Sequence, residues 1–145
     1  MEHDNVNHPK HYTEGFAPVN IECIDITRHM GFCLGNAFKY VWRAGKKGGK
    51  EKAVEDLEKA KWYIREGRLE KAGEAAQAVF RLIPEPPFEF ENVGEPDMYG
   101  NGKFRITSLE FVRYQLLQEI VSPYDGKDLQ YYMGLFKRFF EENSK

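Results

Sequence analysis

Two sets of polar side chains stand at helical spacing in the first half of the chain, and a lysine-rich turn separates them. Offsets of three, four and seven residues place each set along one side of a helix. Arginine suits bidentate phosphate contacts and lysine a point-charge contact, so such a surface could bind a phosphorylated ligand. The first set is Asn36, Lys39, Tyr40 and Arg43, the second is Glu55, Asp56, Lys59 and Tyr63, and the turn contributes Lys46, Lys47 and Lys50.

The cations between Lys39 and Lys50 would repel one another if nothing balanced their charge. We expect Glu55 and Asp56 to orient the basic side chains, and the remaining positive charge to bind phosphate. Asn36 and Tyr40 add neutral hydrogen-bonding groups that suit a base or a sugar. A helix pair joined by salt bridges, with a solvated turn, would show the same pattern, and that interpretation stays open.

Other chemistries find less support in the sequence. No GxxxxGK[ST] motif follows a strand, so the glycine- and lysine-rich turn is not a Walker A loop. No serine stands in a nucleophile elbow, and the two cysteines lack redox or metal spacing. An all-α nucleotide pyrophosphatase is a second alternative, although the helix before the acidic one offers no carboxylate for a magnesium pair. Its metal-binding candidates would be Glu51, Glu55, Asp56 and Glu58.

The composition is that of a soluble protein. The chain has 145 residues, 30% of them charged, and a net charge of −2, which argues against a bulk nucleic-acid binder. It contains no apolar run of membrane-spanning length and no signal peptide, and its two cysteines favour a reducing compartment. We therefore expect a cytoplasmic protein without a nucleic-acid or membrane partner.

Periodicity predicts a mainly α fold, with helical hairpins and a short β-ribbon in the C-terminal half. Asn20 is the expected N-cap of the first helix, with Ile21 and Ile24 on its apolar side. In the third helix Val54, Leu57, Ile64 and the stem of Lys61 mark the expected core face. The predicted helices cover residues 21–30, 33–44, 51–65, 69–82, 108–121 and 127–142, and the ribbon strands cover 88–91 and 103–106, joined through an Asn-Gly turn.

We expect two packed parts, residues 1–82 with the polar site and residues 83–145 with the ribbon and two helices. Gly35 interrupts the second helix at a cost of about 1 kcal/mol, which suggests close approach of a backbone or a ligand. The last helix has an aromatic side, typical of a core or a subunit contact, and we expect a homo-oligomer.

The first twenty residues lack periodicity and contain His3, His8, His11 and Tyr12. Pro9 disfavours helix, so we predict an extended arm. Histidines spaced as HxxH on extended chain have no defined ligand geometry, so no metal site is predicted. From the residues alone, the arm is either a surface segment or a part of the site.

Four motifs together resemble a small family of phage proteins, long catalogued as a domain of unknown function, that includes the nucleotide kinase of the T-odd coliphages. They cover about residues 5–66 and read HPKHY, IECID, GFCLGNAFKYVWRAGKKGGKE and EDLEKAKWYI. The resemblance implies a protein that acts on nucleotides in the host cytoplasm. The implied reaction is phosphoryl transfer from a nucleoside triphosphate to a nucleoside monophosphate; magnesium is compatible with it but not implied.

Mapped onto this sequence, the resemblance implies a composite site with two groups of residues. His11, with Lys39 and Arg43, would be catalytic, His11 through proton transfer or a phosphate contact. Tyr12 or Tyr40 would stack on the base. A protein that sequesters a host defence nucleotide without turnover is the first alternative. The predicted substrate-binding residues, all of them except Lys47 at positions of the family's motifs, are His8, Tyr12, Asn36, Tyr40, Lys46, Lys47, Glu55, Asp56 and Lys59.

Overall fold

The computed structural model describes residues 20–46, 48–95, 98–99, 102–122 and 127–142. His3, His8, His11, Tyr12 and Lys47 lie outside these ranges, as do Gly100 and Asn101 of the predicted Asn-Gly turn. The described residues are mainly helical with one two-stranded ribbon, which confirms the predicted fold class. The elements are α1 (Cys23–Thr27), α2 (Phe32–Arg43), α3 (Lys50–Glu66), α4 (Gly73–Phe80), β1 (Phe90–Gly94), β2 (Lys103–Ile106), α5 (Leu109–Val121) and α6 (Lys127–Glu142).

Helices α2 and α3 form an antiparallel hairpin whose bounds lie within one residue of the prediction. The apolar side of α2 is buried, with Leu34, Phe38, Val41 and Trp42 in the core. On α3 the prediction of the core face was only partly right. Leu57 is fully buried and Val54 and Ile64 are half-buried, but Lys61 is exposed. The buried side of α3 contains two alanines, which allow close packing on α2, and one charged residue, Asp56. The buried residues of α3 are Ala53, Asp56, Leu57 and Ala60.

Helix α1 is shorter than predicted and turned about its axis. It begins after Glu22 rather than Asn20, and the Glu22 amide donates to Asp25 Oδ2 at 2.8 Å. The core receives Cys23 and Ile26, whereas Ile24 is 49% exposed, so the expected apolar side was wrong. Burial raises the pKa of the Cys23 thiol to about 12, so it serves as a neutral core residue.

The C-terminal elements pack on the hairpin and share its hydrophobic core. Helix α5 contacts α2, and α6 contacts α3 and α5. The Ser108 Oγ accepts from the Phe111 amide at 3.1 Å, which caps α5 where the sequence predicted. Helix α4 starts only at Gly73, because the preceding residues turn back towards α2 instead of continuing the predicted 69–82 helix.

The ribbon is antiparallel, with Phe90 opposite Ile106. Strand β1 begins two residues later than predicted and β2 spans the predicted residues. Rings from the ribbon and the segment before it pack on one another and on Phe111. Within the described ranges, no helix combines the length and the apolar character needed to cross a membrane.

The turn after α2 should depend on a glycine. Gly45 has a φ of +84°, and a Cβ there would lie 2.6 Å from Phe140 Cε1. We expect Gly45→Ala to lower the free energy of unfolding by about 2 kcal/mol, because a left-handed conformation and a close contact are both unfavourable for alanine. Urea denaturation measures the change.

Gly134 is the matched control, since a Cβ there meets nothing within 4 Å and the residue lies inside α6. Gly134→Ala should raise stability by about 1 kcal/mol through helix propensity. A Gly45→Ala protein as stable as the parent would contradict the turn geometry.

Candidate functional site

The N-terminus of α2 binds a carboxylate from the loop after α3. The amides of Cys33 and Leu34 donate to Glu70 Oε1 at 3.3 Å and Oε2 at 2.9 Å. An anion there satisfies amides that have no partner within the helix and complements the helix dipole. Gly67 permits this approach, because a Cβ at that position would lie 2.8 Å from Cys33 Cβ.

The C-terminus of α2 binds a buried arginine from α5. Arg113 is 1% exposed, and its Nη1 donates to the carbonyls of Val41 at 2.7 Å and Trp42 at 2.8 Å. Burial lowers the pKa of Arg113, and the Glu110 carboxylate, 3.2 Å from its Nε, acts in the opposite direction. A cation at the carbonyl end of a helix is favourable for the dipole. Helix α2 is thus held at both ends.

An ion pair joins α2 to α3 beside this end. Arg43 Nη2 lies 2.9 Å from Asp56 Oδ1, and Asp56 is fully buried while the Arg43 side chain is 12% exposed. Lys52 Nζ lies 3.8 Å from the same oxygen. The other oxygen, Asp56 Oδ2, has no hydrogen-bond partner among the described residues. The pair fixes the direction in which the guanidinium leaves α2.

Three cations surround the ring of Tyr40. Lys39 Nζ, Arg43 Cζ and Lys59 Nζ lie 4.5, 4.8 and 5.5 Å from its centroid. The ring stacks on Tyr63, with centroids 5.8 Å apart. Cations over an aromatic face are attracted by the quadrupole of the ring. The two predicted polar sets therefore meet on one surface, and we call Lys39, Tyr40, Arg43 and Lys59 the Tyr40 cluster.

Two of these cations have further partners, a neutral amide for Lys39 and a carboxylate for Lys59. Asn36 Oδ1 accepts from Lys39 Nζ at 3.0 Å, and Glu55 Oε1 lies 2.9 Å from Lys59 Nζ and 3.4 Å from Lys52 Nζ. Hydrogen bonds from Lys59 and then Lys52 lower the pKa of Glu55, and the bond to Glu55 raises the pKa of Lys59. In the part of the chain that the structure describes, Lys39 forms no ion pair with a carboxylate.

The remaining predicted residues lie elsewhere or outside the described ranges. Lys46 Nζ lies 5.2 Å from the Trp42 ring rather than over Tyr40. For His8, His11, Tyr12 and Lys47 the predicted roles stay predictions. Within residues 20–46, 48–95, 98–99, 102–122 and 127–142, no three His, Cys, Asp or Glu side chains are grouped so that they could hold a metal ion.

Three residues that hold the site were missed from the sequence. Lys52 carried a signal, because it stands three and four residues before Glu55 and Asp56. Arg113 also carried one, as a lone cation among the apolar residues of α5. Glu70 gave no local signal, since its partner amides lie 36 and 37 residues earlier in the chain.

The fold and site define a class: a mainly helical protein in which a helix hairpin presents a cluster of cations around an aromatic ring. Residues 6–65 match the model of a family described as a protein of unknown function (DUF3310). The chain is also 42% identical over 66 residues to the Gene 1.7 protein of Enterobacteria phage T3, a match covering 41% of this chain and 39% of that protein.

The match spans about two fifths of the length of this relative. No solved structure matches the chain. The comparisons confirm the resemblance to a small phage family over the segment where the motifs lie. All residues of the Tyr40 cluster fall inside the matched segment, whereas Glu70 and Arg113 lie beyond it.

Removing the buried arginine should strongly destabilise the protein. Arg113→Ala leaves a cavity and takes the hydrogen-bond donor from two buried carbonyls. We expect a loss of about 3 kcal/mol in the free energy of unfolding. Arg138→Ala, at an exposed position of α6, should change it by less than about 0.5 kcal/mol. Equal stability of the two variants would show that α2 does not depend on this contact.

The two neighbouring carboxylates of α3 should respond differently to neutralisation. Asp56→Asn leaves the partly buried Arg43 without its charge partner, so we expect a loss of about 3 kcal/mol in guanidinium chloride unfolding. Glu55→Gln should leave the unfolding midpoint nearly unchanged, since its ion pairs are exposed. A small effect of Asp56→Asn would argue against a structural ion pair at this position.

Proposed function

We propose that the protein binds a nucleoside phosphate at the Tyr40 cluster and transfers a phosphoryl group to a nucleoside monophosphate. One observation carries the proposal: three cations converge on a single ring, while carboxylates on α3 hold Arg43 and Lys59. Among the described residues Lys39 contacts a neutral amide and the Tyr40 ring but no carboxylate, so its charge is available to an anionic ligand. The resemblance to a family with a nucleotide kinase supports the choice of ligand.

The chemistry requires little more than positioned positive charge. In the proposed reaction an oxygen of the monophosphate attacks the γ-phosphorus of a nucleoside triphosphate. A new P–O bond forms as the bond to the β-phosphate oxygen breaks, and two nucleoside diphosphates result. Charge develops on the transferring group and the leaving oxygen, and preorganised cations stabilise it. Lys39 and Arg43 would supply this charge.

The ion pairs of α3 favour the kinase-like proposal over the pyrophosphatase alternative. A pyrophosphatase would use its acidic side chains as magnesium ligands, directed at a shared metal. Here Asp56 binds Arg43, and Glu55 binds Lys59 and Lys52. Carboxylates engaged in this way orient cations, which suits an anionic ligand. Sequestration of a nucleotide would use the same surface, so turnover decides between these two functions.

Lys39→Gln should separate activity from stability. The glutamine removes the charge that no described carboxylate balances, and we expect kcat/KM for phosphoryl transfer to fall about 100-fold. Arg43→Lys should lower it similarly, because lysine keeps the charge but loses the planar fork. Arg43→Ala is unsuitable, since it would leave the buried Asp56 without its nearest partner. The assay incubates labelled deoxynucleoside monophosphates with a triphosphate and separates the products.

The matched control is Lys61→Gln, an exposed lysine of α3 that lines a depression against α6 instead of the Tyr40 cluster. Its activity should equal that of the parent protein. Tight binding of an unaltered nucleotide by the parent would assign the sequestering function instead. Release of pyrophosphate from the triphosphate would assign the hydrolase. Full turnover by Lys39→Gln would remove the Tyr40 cluster from the reaction.

A further inference from the structure

An open depression of about 240 Å³ adjoins the Tyr40 cluster, between α1 and the first turns of α2. Lys39 lines the depression and also lies over the Tyr40 ring, so the two features are continuous. A phosphate bound by Lys39 would place the rest of the same ligand at this depression. The lining residues are Thr27, Met30, Gly31, Phe32, Gly35, Asn36 and Lys39.

Phe32 gives the depression an exposed aromatic wall. Its side chain is 73% exposed in the described structure, although phenylalanine normally buries much of its surface. Offsets of four and seven place Phe32, Asn36 and Lys39 on one side of α2. The Phe32 ring meets Tyr63 edge-on at 5.9 Å, and Tyr63 in turn stacks on Tyr40. The contacting rings of Tyr40, Tyr63 and Phe32 therefore extend from the cations to the depression.

Gly35 keeps the depression open at a cost in helix stability. A Cβ there would lie 3.7 Å from Met30 Cβ and 3.8 Å from the Thr27 carbonyl oxygen, which are ordinary contacts. Packing among the described residues would therefore accept alanine, yet glycine in a helix interior costs about 1 kcal/mol. Both neighbours line the depression, so a larger side chain at position 35 would fill it. The close backbone approach that the sequence suggested is not present among these residues.

Asn36 adds directional hydrogen bonding at the same place. Its Nδ2 donates to the Phe32 carbonyl at 2.7 Å, and its Oδ1 accepts from Lys39 at 3.0 Å. A primary amide has two N–H groups and two acceptor lone pairs, so one of each remains for a ligand. The two bonds also fix the orientation of the amide plane. A flat ligand with donors and acceptors on its edge would match this group.

We infer that this depression is the nucleobase subsite of the proposed nucleotide site, with Phe32 as the stacking surface and Asn36 at the edge of the base. The inference rests on the proposed function and specifies which part of the ligand lies where. Tyr40 already carries three cations and Tyr63 on its ring, whereas Phe32 is 73% exposed and has Tyr63 as its one ring contact among the described residues. Stacking of a base on an aromatic ring is favourable for every base, so Phe32 gives affinity without strong base preference.

The test compares two probes, a deoxynucleoside monophosphate and 2-deoxyribose 5-phosphate, which lacks the base. Phe32→Ala should weaken binding of the nucleotide by roughly 5- to 150-fold and leave the base-free phosphate unaffected. Gly35→Leu should act in the same selective way by filling the depression. Tyr131→Ala, which removes a 54% exposed ring from α6, should change neither affinity. Titration calorimetry measures both dissociation constants.

Phe32→Leu guards against a folding defect, since it keeps an apolar side chain but removes the ring, and it should show the same selectivity. Equal loss of both probes, or no loss of either, in Phe32→Ala overturns the subsite. If the parent and the Phe32→Ala variant bind the nucleotide but the Lys39→Gln variant does not, only the subsite is overturned. Absence of nucleotide binding by the parent overturns the proposed function together with the subsite.

Discussion

The hydrogen bonds from the buried Arg113 guanidinium to the last carbonyls of α2 fix the helix on which most of the cation cluster stands. Burying a guanidinium costs several kcal/mol unless its donors are satisfied, so the arrangement persists only while α5 and α2 keep their relative position. At the other end of α2, the Glu70 carboxylate fixes the helix by accepting hydrogen bonds from its first amides. A helix held at both ends presents its side chains in one orientation, which a site for a small anion requires.

Ion pairs between α2 and α3 and within α3 position the cations further. Asp56 is buried against Arg43, and exposed Glu55 joins Lys52 and Lys59, so the protein's own carboxylates position these cations. The exposed pairs contribute little to stability, because water and salt screen them. Their effect is to restrict the positions of long side chains. Lys39 differs from them, because it donates to the neutral amide of Asn36 and forms no ion pair with a described carboxylate.

Local patterns predicted the helices whose ends are set by local chemistry. Helix α5 begins at the Ser108 cap and α6 covers the predicted 127–142, because caps and periodicity act within one or two turns. Helices α1 and α4 were predicted too long, since a capping interaction at Glu22 and the turn that places Glu70 against α2 decide their ends. The Tyr40 cluster followed from spacing within a hairpin. The contacts that hold the two ends of α2 did not, because they join residues 36 to 72 positions apart.

The segment similar to phage proteins contains the Tyr40 cluster but not all of the contacts that hold α2 in place. Residues 6–65 supply the cations, the Tyr40 ring and their carboxylate partners. The groups that close both ends of α2, Glu70 and Arg113, come from the chain that follows. The carbonyls of Val41 and Trp42 must be satisfied in any chain that folds this hairpin against a core. In this chain, therefore, residues 6–65 contain the Tyr40 cluster, and residues beyond them hold its first helix in place.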